Sequence, residues 1–446
     1  MSRIVRKQLF STLSTLKKAN KLLPMLFNGN EEQILELLTQ CQSCAIEMGN
    51  QIDASYGGEL ESIRQLEAYC ETVYQISLCI NSESERVKLF QIASQQLVEL
   101  DKLMEKELPN KLEAVFLPYK ASMWDSLESV WKAADEDAEC DAYVIPIPYY
   151  DKNPDGSFRE EHYEGDLYPD YVPITKYDEY DLAERRPDMI FIHNPYDEGN
   201  FVTSVHPFYY AKNLKKYTEK LIYIPYFVLG EIDLNNKAAV EGMAHFCLTA
   251  GVINADKVIV QSENMRQAYI KVLLEEFGDS EARRQYWENK IKGLGSPKFD
   301  KVSNTKREEL SIPEEWLRII EKPDGSWKKI VFYNTSVNAL LREGEQMLEK
   351  MERVFEYFKD KQGEIVLLWR PHPLIKATIE SMRPKLWGNY QKMVEQYKKQ
   401  KWGIYDDTVE IDRAIELCDA YYGDGSSVIQ LCREVEKPTM RQNVKL

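Results

Sequence analysis

The apolar residues in the first part of the chain recur at three- and four-residue intervals, which is the period of an amphipathic α-helix. Ile34, Leu38 and Cys41 show this spacing. The pattern stops at Pro109, because proline lacks the amide hydrogen that a continuing helix needs. We therefore predict an all-helical region over residues 1–108.

After Pro109 the pattern changes to short apolar runs, rich in β-branched and aromatic residues, that alternate with helical stretches. The predicted strands form a first set, 113–117, 142–147, 188–192, 221–225 and 257–261, and a second set, 292–295, 329–333, 364–369, 402–405 and 419–423. This alternation predicts parallel sheets and an α/β fold with two doubly wound, Rossmann-like domains. We place these domains at 109–283 and 284–446, with the charged helical segment 263–290 as a bridge between them.

The start of the helical region is basic. Its cations all precede the first acidic residue, Glu31, and are Arg3, Arg6, Lys7, Lys17, Lys18 and Lys21. Apolar residues in the same stretch share one helix face. We interpret it as a helix that packs its apolar stripe on the rest of the protein. The alternative is a helix that lies on an anionic membrane surface or binds a partner protein.

Composition narrows the classes of function. With a formal net charge of -16, the chain lacks the cationic excess that proteins coating nucleic acid need, so no nucleic-acid partner is expected. Without an apolar run of about eighteen residues or a secretory signal, we expect a cytoplasmic protein, or one attached peripherally to the inner face of the cell membrane. The eight cysteines are scattered, and Cys41 and Cys44 are interpreted as packing residues of one helix. No metal or other cofactor is expected.

Candidate chemistry follows the predicted strands of the second domain, because ligands of open parallel sheets bind beyond the carboxyl ends of the strands. Arg370 and His372 follow one buried run and supply a permanent cation and a titratable donor. Further along, Asp424, Gly425, Ser426 and Ser427 follow another run and open a helix, an arrangement suited to a diphosphate. The remaining donor-binding candidates follow two other runs and are Ser296, Lys298, Asn334, Thr335 and Ser336.

These segments resemble the CDP-glycerol glycerophosphotransferases, the family of teichoic-acid polymerases and primases with the B-type glycosyltransferase fold. That family carries a G-x-P-R/K-x-D segment, an R/K-x-H-P segment and a D-Y-S-S segment, in this order, around its nucleotide-diphosphate donor. The corresponding segments here are 295–300 (GSPKFD), 370–373 (RPHP) and 424–427 (DGSS), followed by a Lys-Pro pair as in the family. The resemblance covers residues 295–438, and the first domain only weakly.

The resemblance implies transfer of glycerol phosphate, or a related alditol phosphate, from a CDP-linked donor to a hydroxyl group, with CMP leaving. The setting it implies is the synthesis of a cell-surface polymer or glycan. In this reading His372 stabilises the donor phosphates, Ser426 and Ser427 hold the same group, and Asp424 orients the loop or contacts the glycerol. Such a phosphoryl transfer depends on positioning and on charge stabilisation.

The chain departs from the family in the first domain. Family members carry a Trp-His-Gly segment there whose histidine is thought to act as the base, and this chain has Tyr226 at the corresponding strand end. The replacement candidates for a catalytic base are Asp125, His193 and Asp197. The acceptor-side candidates at the same strand ends are Ser122, Trp124, Asn194, Tyr196 and Tyr226.

Two alternatives stay open beside the transferase hypothesis. A sugar-nucleotide glycosyltransferase can use the same fold, since a fold does not determine the donor. A non-catalytic binding or scaffold protein would keep the phosphate site and lack the base, which the missing histidine favours. The long segment 149–180, rich in Tyr, Asp, Pro and Gly, is predicted to be a lid or a flap that contacts the acceptor, or else an excursion with a short hairpin.

Overall fold

The computed structural model describes residues 3–26, 31–108, 111–153 and 155–443. They divide into two compact units. One unit contains the helical region together with the short segments 111–113, 138–141 and 182–188. The other contains the described residues of 114–137, 142–181 and 189–446.

The helical unit is a four-helix bundle. Its helices are α1 (Arg3–Leu26), α2 (Glu31–Tyr56), α3 (Glu61–Leu78) and α4 (Glu83–Glu107). Helix α1 packs against α2 and α4, α2 packs against α3, and α3 packs against α4, which closes the bundle. One continuous apolar core fills it, with residues from all four helices. The predicted all-helical region is confirmed.

The apolar stripe of α1 lies inside this bundle. Its buried members are Leu9, Leu13, Leu16 and Leu23. The basic Arg6 donates to Glu105 and to the carbonyl of Leu108, and Lys17 lies 2.8 Å from Asp101. Intramolecular packing thus accounts for the amphipathic pattern. Along the described ranges, no helix is long and apolar enough to cross a membrane.

The remaining elements alternate between strand and helix. The strands are β1 (Leu112–Leu117), β2 (Cys140–Val144), β3 (Tyr149–Lys152), β4 (Phe158–His162), β5 (Met189–Ile192), β6 (Thr203–Val205), β7 (Lys220–Tyr223), β8 (Lys257–Val260), β9 (Ile291–Gly293), β10 (Lys329–Thr335), β11 (Ile365–Pro371), β12 (Ile404–Tyr405), β13 (Ala420–Gly423) and β14 (Thr439–Arg441). The helices are α5 (Glu128–Asp135), α6 (Leu182–Arg185), α7 (Ala211–Leu214), α8 (Lys237–Glu241), α9 (Ala244–Cys247), α10 (Ala250–Asn254), α11 (Glu263–Phe277), α12 (Glu281–Lys290), α13 (Pro297–Asn304), α14 (Glu314–Ile320), α15 (Val337–Glu343), α16 (Glu345–Lys359), α17 (Ile375–Met382), α18 (Pro384–Gln400), α19 (Ile411–Leu417) and α20 (Ser427–Glu434).

The first sheet has six strands in the order β2-β1-β5-β7-β8-β9. The pairs β1·β5, β5·β7, β7·β8 and β8·β9 are parallel. Two expectations were wrong here. The strand predicted at 292–295 belongs to this sheet, because β9 pairs with β8, and not to the second set. The charged segment 263–290 forms α11 and α12, which connect β8 to β9 within the sheet and do not bridge two domains.

The second sheet has five parallel strands in the order β12-β11-β10-β13-β14. Chain order reverses between β10 and β13, which makes the carboxyl end of this pair the topological switch point where such sheets bind ligands. Side chains alternate between two apolar cores, with Phe332 and Leu368 in one and Tyr333 and Trp369 in the other. The predicted fold class, two doubly wound parallel sheets behind an all-helical region, is confirmed.

The segment 149–180 contains a short hairpin, β3 and β4, which was one of the two alternatives predicted for it. β3 pairs antiparallel with both β4 and β6 to form a small three-stranded sheet. The register between β3 and β4 shifts between Tyr150 and Lys152, so a β-bulge lies opposite Asp151. Bulges of this kind re-aim side chains beside functional sites.

Candidate functional site

Two strand ends meet closely at the switch point of the second sheet. Asn334 of β10 pairs with Gly423 of β13. A Cβ atom added to Gly423 would lie 2.3 Å from the carbonyl oxygen of Asn334. Only glycine permits this approach, and it allows the next residue, Asp424, to donate its backbone N–H to the same carbonyl at 3.0 Å.

The side chain of Asn334 joins the two loops that sequence motifs had singled out. Its Nδ2 donates to the carbonyl of Arg370 at 2.9 Å, and its Oδ1 accepts from the hydroxyl of Ser426 at 2.8 Å. Beside it, the carbonyl of Thr335 accepts the backbone N–H of His372 at 2.9 Å. The structure therefore brings the 370–373 loop and the 424–427 turn together at one edge of the sheet.

Several predicted donor-binding side chains are engaged with protein atoms. Asp424 is buried and accepts from the backbone N–H of Ser336 and from Gln442, each at 2.6 Å. The hydroxyl of Thr335 accepts from the indole of Trp369 at 3.1 Å, and the hydroxyl of Ser336 caps α15. These groups shape the loops and do not point freely at a ligand.

The amino end of α20 retains anion-binding capacity. Its N-cap residue, Ser426, makes no side-chain capping hydrogen bond, and Ser427 is half-buried. Gly425 is exposed, and a Cβ atom there would lie 2.8 Å from Nε of Arg441. A cation therefore lies against the turn that precedes the helix. Sequence reasoning missed Arg441, because β14 itself was not predicted.

His372 is half-buried at the end of β11. Its Nδ1 accepts from the backbone N–H of Leu374 at 3.1 Å, so the neutral ring carries its proton on Nε2. Burial, followed by the positive charges of Lys120, Lys298 and Arg370, lowers the pKa of His372 to about 4. The imidazole is therefore neutral at pH 7 and presents an Nε2–H donor in a positively charged setting.

The guanidinium of Arg370 is buried and has protein partners of its own. It lies 2.5 Å from Asp406, and it also donates to the carbonyl of Thr408 at 2.7 Å. The contacts of Arg370 are thus with the protein itself and do not show the predicted direct binding of the donor. Arg370 holds the 406–408 loop in place and contributes positive charge beside His372.

Lys298 and Asp125, predicted on opposite sides of the site, form a buried ion pair. Lys298 follows Ser296, the N-cap of α13, whose hydroxyl accepts from the Lys298 backbone N–H at 3.4 Å. Asp125 lies in the 3-10 turn Ala121–Ser126 that follows β1. The pair joins the segment after the first strand of the first sheet to the segment after its last strand.

A cavity of about 950 Å³ opens between the carboxyl ends of the two sheets. From the first domain it is lined by Lys120, Ser122 and residues of β3 and β4, and from the second by Arg370, His372 and residues of α17 and α18. Among the described lining residues, the 424–427 turn is absent. The cavity and the amino end of α20 are therefore separate places, linked through the Asn334 side chain.

A buried polar network forms the first-domain wall of this cavity. Nζ of Lys120 donates to the hydroxyl of Tyr149 at 2.6 Å, and that hydroxyl donates to Glu164 at 2.7 Å. Burial lowers the pKa of Lys120, although the nearby carboxylates of Glu164 and Asp151 raise it. Sequence reasoning did not single out Lys120; its position just after β1 was the available signal.

His193, a predicted base, is fully buried and both of its ring nitrogens have partners. Nε2 accepts from the backbone N–H of Tyr119 at 3.1 Å, and Nδ1 lies 2.9 Å from the hydroxyl of Ser126. Burial lowers its pKa to about 3. The geometry favours a structural role, because neither nitrogen is available to an acceptor hydroxyl.

Asp197, the third base candidate, is also buried. It accepts from the backbone N–H of Ala211 at 2.8 Å, at the start of α7. Burial raises its pKa to about 7, and its backbone has a positive φ of 44°. These contacts again favour a structural role.

The predicted acceptor-side residues do not converge. Ser122 lines the cavity, whereas Trp124 is buried against Trp131 and Tyr168. The other three, Asn194, Tyr196 and Tyr226, lie near His193. The side chain of Asn194 accepts from the Tyr196 backbone N–H, and the ring centroid of Tyr226 is 6.0 Å from that of His193. Only Ser122 of this set reaches the cavity.

Comparison with known proteins gives structural likenesses only. No family model and no curated protein matches the chain. A UDP-N-acetylglucosamine 2-epimerase matches with TM-score 0.42 and 11% identity, over 75% of this chain and 79% of its own. The UDP-GlcNAc 2-epimerase of Methanocaldococcus jannaschii, in complex with UDP-GlcNAc and UDP, matches with TM-score 0.42 and 11% identity, over 74% and 83%.

The wall teichoic acid polymerase TagF matches with TM-score 0.36 and 10% identity, over 85% of this chain and 79% of its own. Likenesses at these TM-scores do not decide an activity. The function proposed next therefore depends on the residues of the site itself.

Proposed function

We propose that the protein transfers glycerol phosphate, or a related alditol phosphate, from a CDP-linked donor to a hydroxyl acceptor in the synthesis of a cell-surface polymer or glycan. The observation that carries the proposal is that Lys120, Arg370 and His372, from separate chain segments, line one cavity. Two cations and one neutral Nε2–H donor on one cavity are groups that can bind the oxygens of a diphosphate.

Lys120, Lys298 and Arg370 each lie close to a carboxylate. Arg370 is paired with Asp406 and Lys298 with Asp125, so each is offset by one carboxylate. Lys120 lies 3.6 Å from Glu164, with the Tyr149 hydroxyl between them. With its pKa lowered by burial, Lys120 would gain most from an anionic ligand that enters the cavity.

The amino end of α20 is a second anion-binding element, joined to the cavity loop through the Asn334 side chain. Backbone N–H groups and the helix dipole favour negative charge there, and Arg441 adds a side-chain cation. In the transfer step, the bridging oxygen takes the electron pair of the breaking P–O bond, and CMP leaves. Fixed donors beside that oxygen lower the barrier by stabilising the charge that develops on it.

The cavity also has room for the nucleoside. Trp387 and Tyr405, both half-buried, line it on the second-domain side. Aromatic rings stack on any nucleobase and do not by themselves select cytosine. A sugar-nucleotide donor thus remains the second candidate, and a binding protein without turnover the third.

A thermal-shift titration with CDP-glycerol, CDP-ribitol, a UDP-sugar and CMP separates these candidates. A ligand that binds only the folded state stabilises it by about 2.7 kcal/mol at a concentration one hundred times its Kd. Stabilisation by the cytidine nucleotides alone supports the proposal, and stabilisation by the UDP-sugar supports the second candidate. Stabilisation without CMP release in a turnover assay supports the third.

A further inference from the structure

We infer that His162, oriented by Asp151, is the general base that accepts the proton of the acceptor hydroxyl. The inference rests on the proposed function and concerns the step for which none of the sequence candidates is suitably placed. Asp125 is ion-paired with Lys298, and His193 and Asp197 are buried and bonded to protein atoms.

His162 lies where a base is needed. It is half-buried at the end of β4 and lines the cavity from the first-domain side, whereas His372 lines it from the second. Of the other histidines, His206 is exposed and bonded to the Phe208 backbone N–H, and His245 is exposed on α9. His162 is thus the histidine that can face a donor held at His372.

Asp151 selects the tautomer of His162. Its Oδ2 lies 3.2 Å from Nε2 of His162, which favours a proton on Nε2 and leaves the lone pair on Nδ1. Arg159 lies 3.0 Å from the same carboxylate oxygen. A carboxylate on one ring nitrogen, and a second nitrogen without a hydrogen-bond partner among the described residues, form the arrangement that activates a histidine as a base.

The local backbone and ring contacts hold Asp151 and His162 in place. The β-bulge between β3 and β4 gives β4 one residue more than β3, opposite Asp151. The ring of His162 stacks on Tyr149, with centroids 5.0 Å apart and planes inclined by 25°. Tyr149 is itself held by Lys120 and Glu164, so the base and the anion-binding lysine share one rigid network.

The acceptor oxygen attacks the phosphorus that carries the glycerol, a new P–O bond forms, and the hydroxyl proton passes to Nδ1 of His162. The bond from this phosphorus to the bridging oxygen breaks, and CMP leaves with that oxygen and its electron pair. No oxidant, reductant or metal ion is required.

The test compares wild type with His162→Gln, using CDP-glycerol as donor and glycerol as the hydroxyl probe. We expect kcat for CMP release to fall by about 10²- to 10⁴-fold, the usual contribution of a general base, with an unchanged CDP-glycerol thermal shift. The matched control is His245→Gln, on an exposed helix outside the cavity, which should behave as wild type.

A pH profile distinguishes a base from a packing residue. The wild-type rate should fall in acid, and this fall should disappear in His162→Gln. The charged and titratable groups around the ring are Asp151, Arg159, Glu160, Tyr149, Glu164 and Lys120. Asp151→Asn should reduce kcat without changing KM, and Asp151→Glu should restore part of it.

Three outcomes would overturn the inference. Wild-type turnover with an equally active His162→Gln removes the base role and leaves the proposed function intact. Absence of turnover by the wild type with every nucleotide tested overturns both. Asp151, Glu160 and His162 also place potential metal ligands within 4.8 Å of one another. Turnover that EDTA abolishes, with a Mn²⁺-induced thermal shift that His162→Gln loses, assigns these residues to a cation instead.

Discussion

Arg370 and Asp406 form a fully buried ion pair, 2.5 Å apart, at the edge of the candidate site. Asp406 also accepts from the hydroxyl and the backbone N–H of Thr408, so one carboxylate organises both the arginine and the loop that follows β12. The pair thus sets the second-domain wall of the cavity.

Asp406→Asn should destabilise the protein by about 3–5 kcal/mol, because it leaves the Arg370 charge buried without a counter-ion. Thermal unfolding measures the effect. Asp407→Asn is the matched control, since Asp407 is exposed and its pair with Lys398 should contribute less than about 1 kcal/mol. Equal losses in the two variants would contradict a special role for the buried pair.

His372→Ala should weaken CDP-glycerol binding or lower kcat/KM by about 10²- to 10³-fold, because the Nε2–H donor is lost from the cationic site. Its folding should be near normal, since the side chain makes one hydrogen bond, to Leu374. Calorimetric titration and CMP release measure the two effects. Unchanged constants in both would remove His372 from the site.

Asp197→Asn should raise stability at alkaline pH. Burial raises the pKa of Asp197 to about 7, so the folded state binds its proton more tightly than the unfolded chain does. The contribution of the Asp197 carboxyl group to the free energy of unfolding is therefore most favourable in acid. It falls by up to about 4 kcal/mol as pH rises from about 4 to 7. Asparagine can keep the bond to Ala211 and tolerates the positive φ.

The measurement is the melting temperature of wild type and Asp197→Asn at pH 5 and pH 8. The melting temperature of the variant, relative to that of the wild type, should be higher at pH 8 than at pH 5. Asp233→Asn, at an exposed aspartate, should show no such gain. A variant that is less stable than the wild type at pH 8 would show that burial of the charge is not what matters.

Gly423→Ala should cost about 1–3 kcal/mol or more, because the added methyl group would collide with the Asn334 carbonyl and push β13 away from β10. Donor binding should weaken at the same time, since the 424–427 turn would move. Gly363→Ala is the control, at an exposed glycine with no atom near its would-be Cβ. Melting temperature and CDP-glycerol titration report the two effects.

The sequence predicted the parallel strands well, because their apolar runs are buried on both faces, as at Val366, Leu367 and Leu368. It assigned β9 to the wrong sheet, since a three-residue strand carries no signal for the edge that it joins. For the small sheet, only a short hairpin was predicted, as one of two alternatives, because the β4 residues are exposed or half-buried and lack an apolar alternation.

For the site, the strand-end rule selected His372 and the 424–427 turn, which the structure brings together through Asn334. It could not show that Arg370 and Lys298 are paired with Asp406 and Asp125, because these partners are far apart in sequence. For the same reason no pattern linked His162 to Asp151 across the bulge.

The side-chain amide of Asn334 accepts from the 424–427 turn and donates to the 370–373 loop, so one side chain sets the spacing between the two loops. A change in the 424–427 turn that moves Ser426 alters the hydrogen bond on which the carbonyl of Arg370 depends. We therefore expect the effects of substitutions in these two loops to be coupled. A new donor specificity would require compensating substitutions on both sides of Asn334.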